Sequence, residues 1–464
     1  MWYKLKEGND VSLKKLLTVA LIAALVSSLG SSTVLAESNS PLSPVEDTLL
    51  SSDKLNDLND KSSSNVLDLS AVESCFSMAK DILKNYYERI DIGTEQSVKG
   101  TFTDDTKLLA HNLSEYVEKK MNTKHFVVEA ANAQKENYVL TFNLLSSEVT
   151  KEGILLTIST EASFNYVGME VQSGFGEVSN VVFTYTDTGL TMSDWYMPDD
   201  YYDEFVRGSL DHSSNLTMNS ILENSNIAEK QTELEKKITD YFSVNRELPV
   251  EMTSTDGVEA TNQVITPLAT LASLNKTAIA NYAKNNKAKD SPASGGSNVS
   301  YYDFSQISGN WDCTNFVSHA LLAGGAIPYD TNGSGISSKG WYYRSLSNRS
   351  SSWSGVPNLH DFLVNNTTKG PAGSATTYST FKYNPNSGYP YAIGDILQFY
   401  LSGSYNNWRH STIITEYYET NTALVLGALV TGRSGKGSYN NNQKAEEVYP
   451  GDSKRVIKLS GYYK

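Results

Sequence analysis

A chain of 464 residues, 39% hydrophobic and 19% charged, has the balance of a globular protein and enough length for more than one core. Its two cysteines, Cys75 and Cys313, exclude a disulfide-stapled scaffold. The net charge of −14 is unevenly spread: 17 Lys and Arg face 11 Asp and Glu from Ser273 onward, so the excess acid lies before that point, and neither part has the Lys/Arg-rich stripe of a nucleic-acid binder.

Residues 1–36 read as an export signal. Lys14 and Lys15 precede an apolar run from Leu16 to Leu29, and Val34-Leu35-Ala36 offers a small-residue cleavage site after Ala36. The run is shorter than the roughly 20 apolar residues that span a bilayer. The expectation is a secreted chain, extracellular or wall-associated, with no integral membrane segment after signal cleavage. Residues 37–66 are rich in Ser, Asp, Asn and Leu without a sustained period and read as a disordered lead-in.

Residues 67–207 read as an N-terminal α+β domain. Ser70 and Glu73 form a capping box, and Val72, Phe76, Ala79, Leu83, Tyr86 and Ile90 follow at helical spacing. Cys75 falls in this pattern as a small buried hydrophobe. A second helix is expected over Asp105–Met121. Strands are expected over Phe126–Glu129, Tyr138–Leu145, Ile154–Tyr166, Glu177–Tyr185 and Thr191–Tyr196, with a hairpin turn at Asp187-Thr188-Gly189. Helices followed by an antiparallel meander suggest helices on one face of a curved sheet. The ending Asp194-Trp195-Tyr196-Met197-Pro198-Asp199 is similar to the last strand of cystatin-like or nuclear-transport-factor-like cone folds. Residues 208–272 read as a helical connector (Asn226–Phe242) and a Thr-rich linker (Glu251–Leu268), which predicts two separable halves.

Residues 273–464 form the last predicted domain. A helix is expected over Ser273–Lys289 and another from Cys313 to the Gly324-Gly325 stop. A loop-rich stretch follows, then strands at Ile396–Leu401, His410–Tyr418, Ala423–Thr431 and Arg455–Leu459.

Chemistry concentrates in two short segments. In Trp311-Asp312-Cys313-Thr314-Asn315-Phe316-Val317-Ser318 a cysteine opens an apolar-periodic helix. The helix dipole and first-turn amides stabilise an anion there, which predicts a depressed thiol pKa and a place for an oxyanion. In Arg409-His410-Ser411-Thr412-Ile413-Ile414 a histidine opens a strand. A helix-borne thiol facing a strand-borne imidazole makes a nucleophile and base pair. His319, six residues past the cysteine, lies roughly 600° around the helix and cannot turn back to it. His360 reads as a surface residue.

These blocks, together with Ala-Gly-Gly, Gly-Trp-Tyr-Tyr, Ser-Trp-Ser-Gly-Val and Ile-Gly-Asp-Ile-Leu-Gln-Phe, resemble the putative amidase domain family of secreted Gram-positive proteins, a relative of NlpC-type and CHAP-type cell-wall hydrolases. The resemblance covers about residues 273–464. It implies a papain-like α+β fold with Cys313 as nucleophile, His410 as base, and Gly394 and Asp395 in a structural turn. Such families set a polar residue on the strand after the histidine. Here that strand offers only Thr431, entered as the third catalytic candidate, with Asn440, Asn441 or a backbone carbonyl as alternatives. The expected partner of His410 is therefore neutral, with no Asp or Glu at its far nitrogen.

Asp312, Trp311, Trp341 and Trp408 are the candidate substrate contacts. The aromatic residues read either as a cleft wall or as packing of a loop-rich domain. No metal-ligand spacing, phosphate loop or cofactor motif is found. The leading reading is an exported thiol amidase or peptidase acting on peptide amides, with peptidoglycan peptides as substrate and anionic wall polymers as partners of the basic C-terminal part. The alternative is a surface-binding module that kept the fold and lost turnover.

Overall fold

The computed structural model describes residues 55–92, 109–187, 189–208, 226–245, 271–288, 304, 312–382, 389–403, 406–419, 425–435 and 437–464. The export signal, most of the lead-in, Trp311 and the Thr-rich linker lie outside them. Helix α1 (Leu55–Ile92) begins inside the span read as a disordered lead-in. Leu55, Leu58, Val66 and Leu69 continue the i, i+3 spacing upstream of the capping box, so the apolar pattern starts earlier than expected. Its buried stripe is Val72, Cys75, Ala79, Ile82, Leu83, Tyr86 and Ile90.

Helix α2 (His111–Ala130) runs through Phe126–Glu129, which corrects the strand expected there. Val127 and Val128 are buried against the same core as α1, and that packing overrides their β preference. Four antiparallel strands follow: β1 (Lys135–Val149), β2 (Gly153–Tyr166), β3 (Gln172–Thr186) and β4 (Gly189–Tyr196). A short helix α3 (Tyr201–Arg207) is capped by Asp200, whose carboxylate accepts from the amides of Tyr202 and Asp203. Helix α4 (Asn226–Asn245) buries Leu234, Ile238 and Phe242 in this core.

The C-terminal part begins with β5 (Leu271–Ala272) and α5 (Lys276–Asn286), whose N-cap is Asn275. Helix α6 (Cys313–Ala323) follows, then β6 (Ile336–Ser337), β7 (Tyr343–Ser345) and β8 (Asn348–Ser350), a small sheet of their own. After α7 (Ser351–Ser354), α8 (Val356–Asn365), β9 (Gly370–Thr377) and β10 (Phe381–Lys382) come β11 (Ile396–Leu401), β12 (Asn407–Glu419), β13 (Val425–Gly435), β14 (Ser438–Lys444) and β15 (Lys454–Tyr463). Phe316, Val317, Ala320 and Leu321 press α6 onto Ile396, Ile413 and Ile457 of the sheet. Each such side chain stabilises by about 1.5–3 kcal/mol when fully buried. The class is α+β, with one large antiparallel sheet.

That sheet crosses the boundary between the two parts. Its order is β1-β2-β3-β14-β13-β12-β11-β15-β5. At the seam Tyr439 pairs with Gly176, Asn440 with Phe175 and Asn441 with Gly174. A Cβ on Gly176 would sit 2.5 Å from the Tyr439 ring and 2.6 Å from the Gly437 carbonyl oxygen, so the close approach requires glycine. Buried polar contacts run along the seam: Ser173 Oγ donates to the Asn442 carbonyl at 2.8 Å, and Asn442 Nδ2 donates to the Gln172 carbonyl at 3.1 Å. Lys135 bridges Asp91 (2.5 Å) and Glu447 (3.0 Å). Tyr418 and Leu429 belong to the N-terminal core. Residues Ser63–Lys464 are thus one unit, and the expectation of separable halves gives way to a shared sheet and a shared core.

A protease site introduced between Asn245 and Leu271 should therefore yield two fragments that co-elute in gel filtration at neutral pH and part only in denaturant. Separation without denaturant would show that the seam contributes little.

Candidate active site

The segment Asp-Cys-Thr-Asn-Phe-Val-Ser is mostly scaffold, and each polar residue has a definite partner. Asp312 precedes α6 but does not cap it with its side chain. Its Oδ1 accepts from the Phe304 amide (3.1 Å) and from Asn315 Nδ2 (2.8 Å), and its Oδ2 accepts from Arg433 Nε at 2.7 Å. Its own amide donates to the Ser434 carbonyl at 3.0 Å. Asn315 accepts from Trp353 Nε1 (2.6 Å), and Ser318 accepts from Trp341 Nε1 (3.0 Å) while donating to the Trp353 carbonyl (2.8 Å). The helix start is thereby fastened to β13, and two tryptophans lock its rotation.

At this junction the Cys313 thiol reaches the backbone next to His410. The thiol lies 3.8 Å from the Thr314 hydroxyl and 3.8 Å from the Arg409 carbonyl oxygen, next to the backbone on either side of His410. Thr314 Oγ1 lies 3.4 Å from Ser411 Oγ, which accepts from Gln398 Nε2 at 3.1 Å. No hydrogen bond joins the thiol to the imidazole. The ring of His410 packs against Phe399 (5.9 Å) and Tyr449 (5.7 Å), which also touch each other (5.9 Å). Its Nε2 is 3.3 Å from Asn440 Oδ1, and its Nδ1 is buried with no hydrogen-bond partner. The Asn440 amide nitrogen donates to Gln443, which fixes the amide with its oxygen toward the ring. The imidazole proton then sits on Nε2, and Nδ1 offers its lone pair.

Burial dominates the electrostatics. Cys313 is 2% and His410 1% exposed. Burial pushes the thiol up to about 11, against the lowering effects of the Ser411 amide, the Thr314 hydroxyl and Arg409; the Asp312 carboxylate adds to the rise. The expected depressed thiol pKa is corrected on this point: the helix dipole is outweighed by desolvation. Burial likewise pushes His410 down to about 4, opposed by Asn440. Cys75, buried in the N-terminal core, is also raised to about 11 by burial, and both cysteines are free.

Other candidates fall elsewhere. Thr431 does not orient His410; its hydroxyl lies 3.0 Å from Thr415 Oγ1 and accepts from the Asn442 amide at 3.0 Å. Asn440 takes that position. Its segment, Ser438–Lys444, lacks β-branched residues and carries no strand signal in the sequence, so Asn440 stands there only as an alternative to Thr431. Asp312 spends both carboxylate oxygens internally, and Trp341 is fully buried, so neither is a substrate contact. Trp408 is half-buried, with the Arg455 guanidinium 4.0 Å over its ring. Buried His319 pairs with the Tyr282 hydroxyl (3.1 Å), and His360 with Asp361 (2.8 Å). Asp395 is structural: it accepts from Lys276 (2.6 Å) and the Leu459 amide (2.9 Å).

A cavity of about 120 Å³ opens beside His410. Asn440, Ser434 and Tyr449 line it from the C-terminal part, and Tyr87, Lys124, Glu177 and Asp200 from the N-terminal part. Among the described residues no cluster of His, Cys, Asp and Glu could hold a metal, and no helix is long and apolar enough to cross a membrane.

Residues 273–459 match the putative amidase domain family. The match contains Cys313, His410 and Asn440, and it points to hydrolysis of amides, a reaction at C–N bonds. Neither the curated proteins nor the solved structures compared with the chain gave a match.

If burial controls the thiol, iodoacetamide should modify Cys313 of a Cys75→Ala chain at a rate that climbs from pH 8 through pH 10 toward the value of about 11. A rate that levels off by pH 8 would mean an exposed or charge-stabilised thiolate instead.

Proposed function

We propose that the amidase domain is a thiol hydrolase with a papain-like arrangement. Cys313 attacks the carbonyl carbon of an amide, His410 Nδ1 takes the thiol proton, and Asn440 holds the ring. The observation that carries this reading is the His410 ring itself: Nε2 is engaged by Asn440, Nδ1 is buried and unpartnered, and the Cys313 thiol lies 3.8 Å from the carbonyl oxygen of the preceding residue, Arg409. Amides in the first turn of α6 stabilise the oxyanion. Collapse of the tetrahedral intermediate breaks the C–N bond, and the amine leaves with the proton from the imidazolium. Water then releases the acid from the thioester, and His410 again handles the proton.

With the thiol near 11 and the imidazole near 4, the resting pair is neutral. Proton transfer is unfavourable until substrate arrives, so it accompanies attack instead of preceding it. The neutral Asn440 partner supports the imidazolium less than a carboxylate would.

The sequence supports export after removal of residues 1–36, and the basic C-terminal part suits anionic wall polymers. We therefore assign wall peptides as the substrate. A second reading, a binding module without turnover, draws on the burial of both groups and the lack of a thiol–imidazole hydrogen bond.

Release of new amines from isolated wall peptides separates the two. Turnover by the full chain that is lost in Cys313→Ala and in His410→Ala supports the hydrolase; wall binding without amine release supports the module. In the hydrolase, Asn440→Ala should lower kcat/KM by about 10²-fold or more through loss of ring orientation. Thr431→Val should stay within about threefold while losing about 1 kcal/mol of stability from its buried hydroxyl contacts.

A further inference from the structure

The cavity beside His410 has a wall that does not belong to the amidase family. Residues of α1, α2 and β3 and the approach to α3 close it opposite Asn440 and Tyr449. The charge lining the cavity is unbalanced. Asp91, Glu177, Asp199, Asp200 and Glu447 line the cavity, against Lys124 and Lys135.

Both lysines are already engaged. Lys135 lies between Asp91 (2.5 Å) and Glu447 (3.0 Å). Lys124 pairs closely with Asp200, and Lys120 behind them is 3.2 Å from Asp200 and 2.9 Å from Asp203. Glu177 is held less closely by Lys124 than Asp200 is. One oxygen accepts from the Tyr87 hydroxyl at 2.5 Å, while the nearest ammonium to the other is Lys124 at 3.9 Å. Its side chain keeps 26% of its surface accessible although protein surrounds it. Burial raises its pKa above the usual carboxylate range; Lys124 opposes this and Asp200 adds to it. A cation entering the cavity would relieve this desolvated negative charge.

The second feature is the base. The His410 ring lines the same cavity, and its buried Nδ1 has no partner. An occupant would therefore lie against the group that handles the proton.

We propose that the N-terminal part completes the specificity pocket of the amidase site, with Glu177 binding an ammonium group carried by the substrate. The proposal rests on the amidase reading of Cys313 and His410. It accounts for the sheet shared by the two parts: the seam at Gly176 holds Glu177 in register with Asn440 and so with the reacting centre. The cavity of about 120 Å³ admits an aminoalkyl head with a few waters. An acetylated amine brings no charge and leaves the half-buried acid with only Tyr87 and the distant Lys124 as partners.

The probes are lysine p-nitroanilide with both amino groups free and its doubly acetylated counterpart. The full chain should hydrolyse the free probe with at least a tenfold higher kcat/KM. In Glu177→Gln, which keeps the acceptor for Tyr87, the ratio should fall toward one; Glu177→Asp, which keeps the charge, should retain a preference. Calorimetric titration of the full-length Cys313→Ala chain with both probes reads the pocket without turnover and should give the same order. Equal turnover and equal binding of the two probes would overturn the pocket while leaving the hydrolase intact. A preference that survives Glu177→Gln would also overturn the proposal. Selective binding of the free probe without hydrolysis of either would support the pocket and count against the hydrolase.

Discussion

The backbone pairing of β14 with β3 sets where the functional groups lie. It joins two sequence regions of opposite charge into one sheet, across a stretch where side chains leave almost no room. Gly176 lets the Tyr439 ring lie over it, and Gly174 lies equally close to β2, where a Cβ would come 2.3 Å from the Ala162 carbonyl oxygen. Ser173 and Asn442 exchange side-chain hydrogen bonds with each other's strands, so the seam is held by polar groups in a dry setting. Each such bond contributes only about 0.5–1.5 kcal/mol net, but leaving one unmade costs more. That asymmetry fixes the register, and the register fixes Asn440 opposite Phe175 and next to His410.

Solvation, more than the helix dipole, sets the protonation state of the site. A thiol at a helix N-terminus is often acidic, yet Cys313 is raised to about 11. A dipole contributes about 0.3–1 kcal/mol at exposed termini and up to ∼2 when partly buried, whereas full burial of an ionisable group shifts its pKa by up to 3–5 units. The same desolvation lowers His410, and the neighbouring Asp312 carboxylate disfavours the thiolate further. A neutral pair stores no reactive anion while the site is empty. In the proposed reaction the charge develops only when substrate supplies its own electrostatic partner.

Much of this was legible in the sequence because the chemistry is local. A cysteine at the start of an apolar-periodic helix and a histidine at the start of a strand are short-range patterns, and α6 and β12 carry them as expected. The neutral partner of His410 was also legible, but its identity was not. Asn440 sits in Ser-Tyr-Asn-Asn-Asn-Gln-Lys, whose strand state comes from neighbours on both sides and not from its own propensity. Phe126–Glu129 failed in the opposite sense: local β preference lost to the burial of Val127 and Val128. The union of the two parts had no local signal at all, since the pairing of β3 with β14 joins positions more than 250 residues apart, Ser173 and Asn442 among them.

Strand β13 explains how thiol and imidazole stay in register without bonding to each other. Gly432 pairs with Asn440, so this strand locates the residue that orients the ring. The next residue, Arg433, grips the Asp312 carboxylate, and the one after, Ser434, accepts the Asp312 amide. Three consecutive positions thus locate both the ring holder and the start of the thiol's helix. A Cβ on Gly432 would come 2.7 Å from Thr412 Cγ2, so a larger residue would push β13 away from β12 and displace both groups together. The Asp312–Arg433 pair is buried, and removing one partner of such a pair typically costs about 3–5 kcal/mol, because the other charge is left unpaired. Its role is geometric: it ties the residue before Cys313 to the strand that aligns His410.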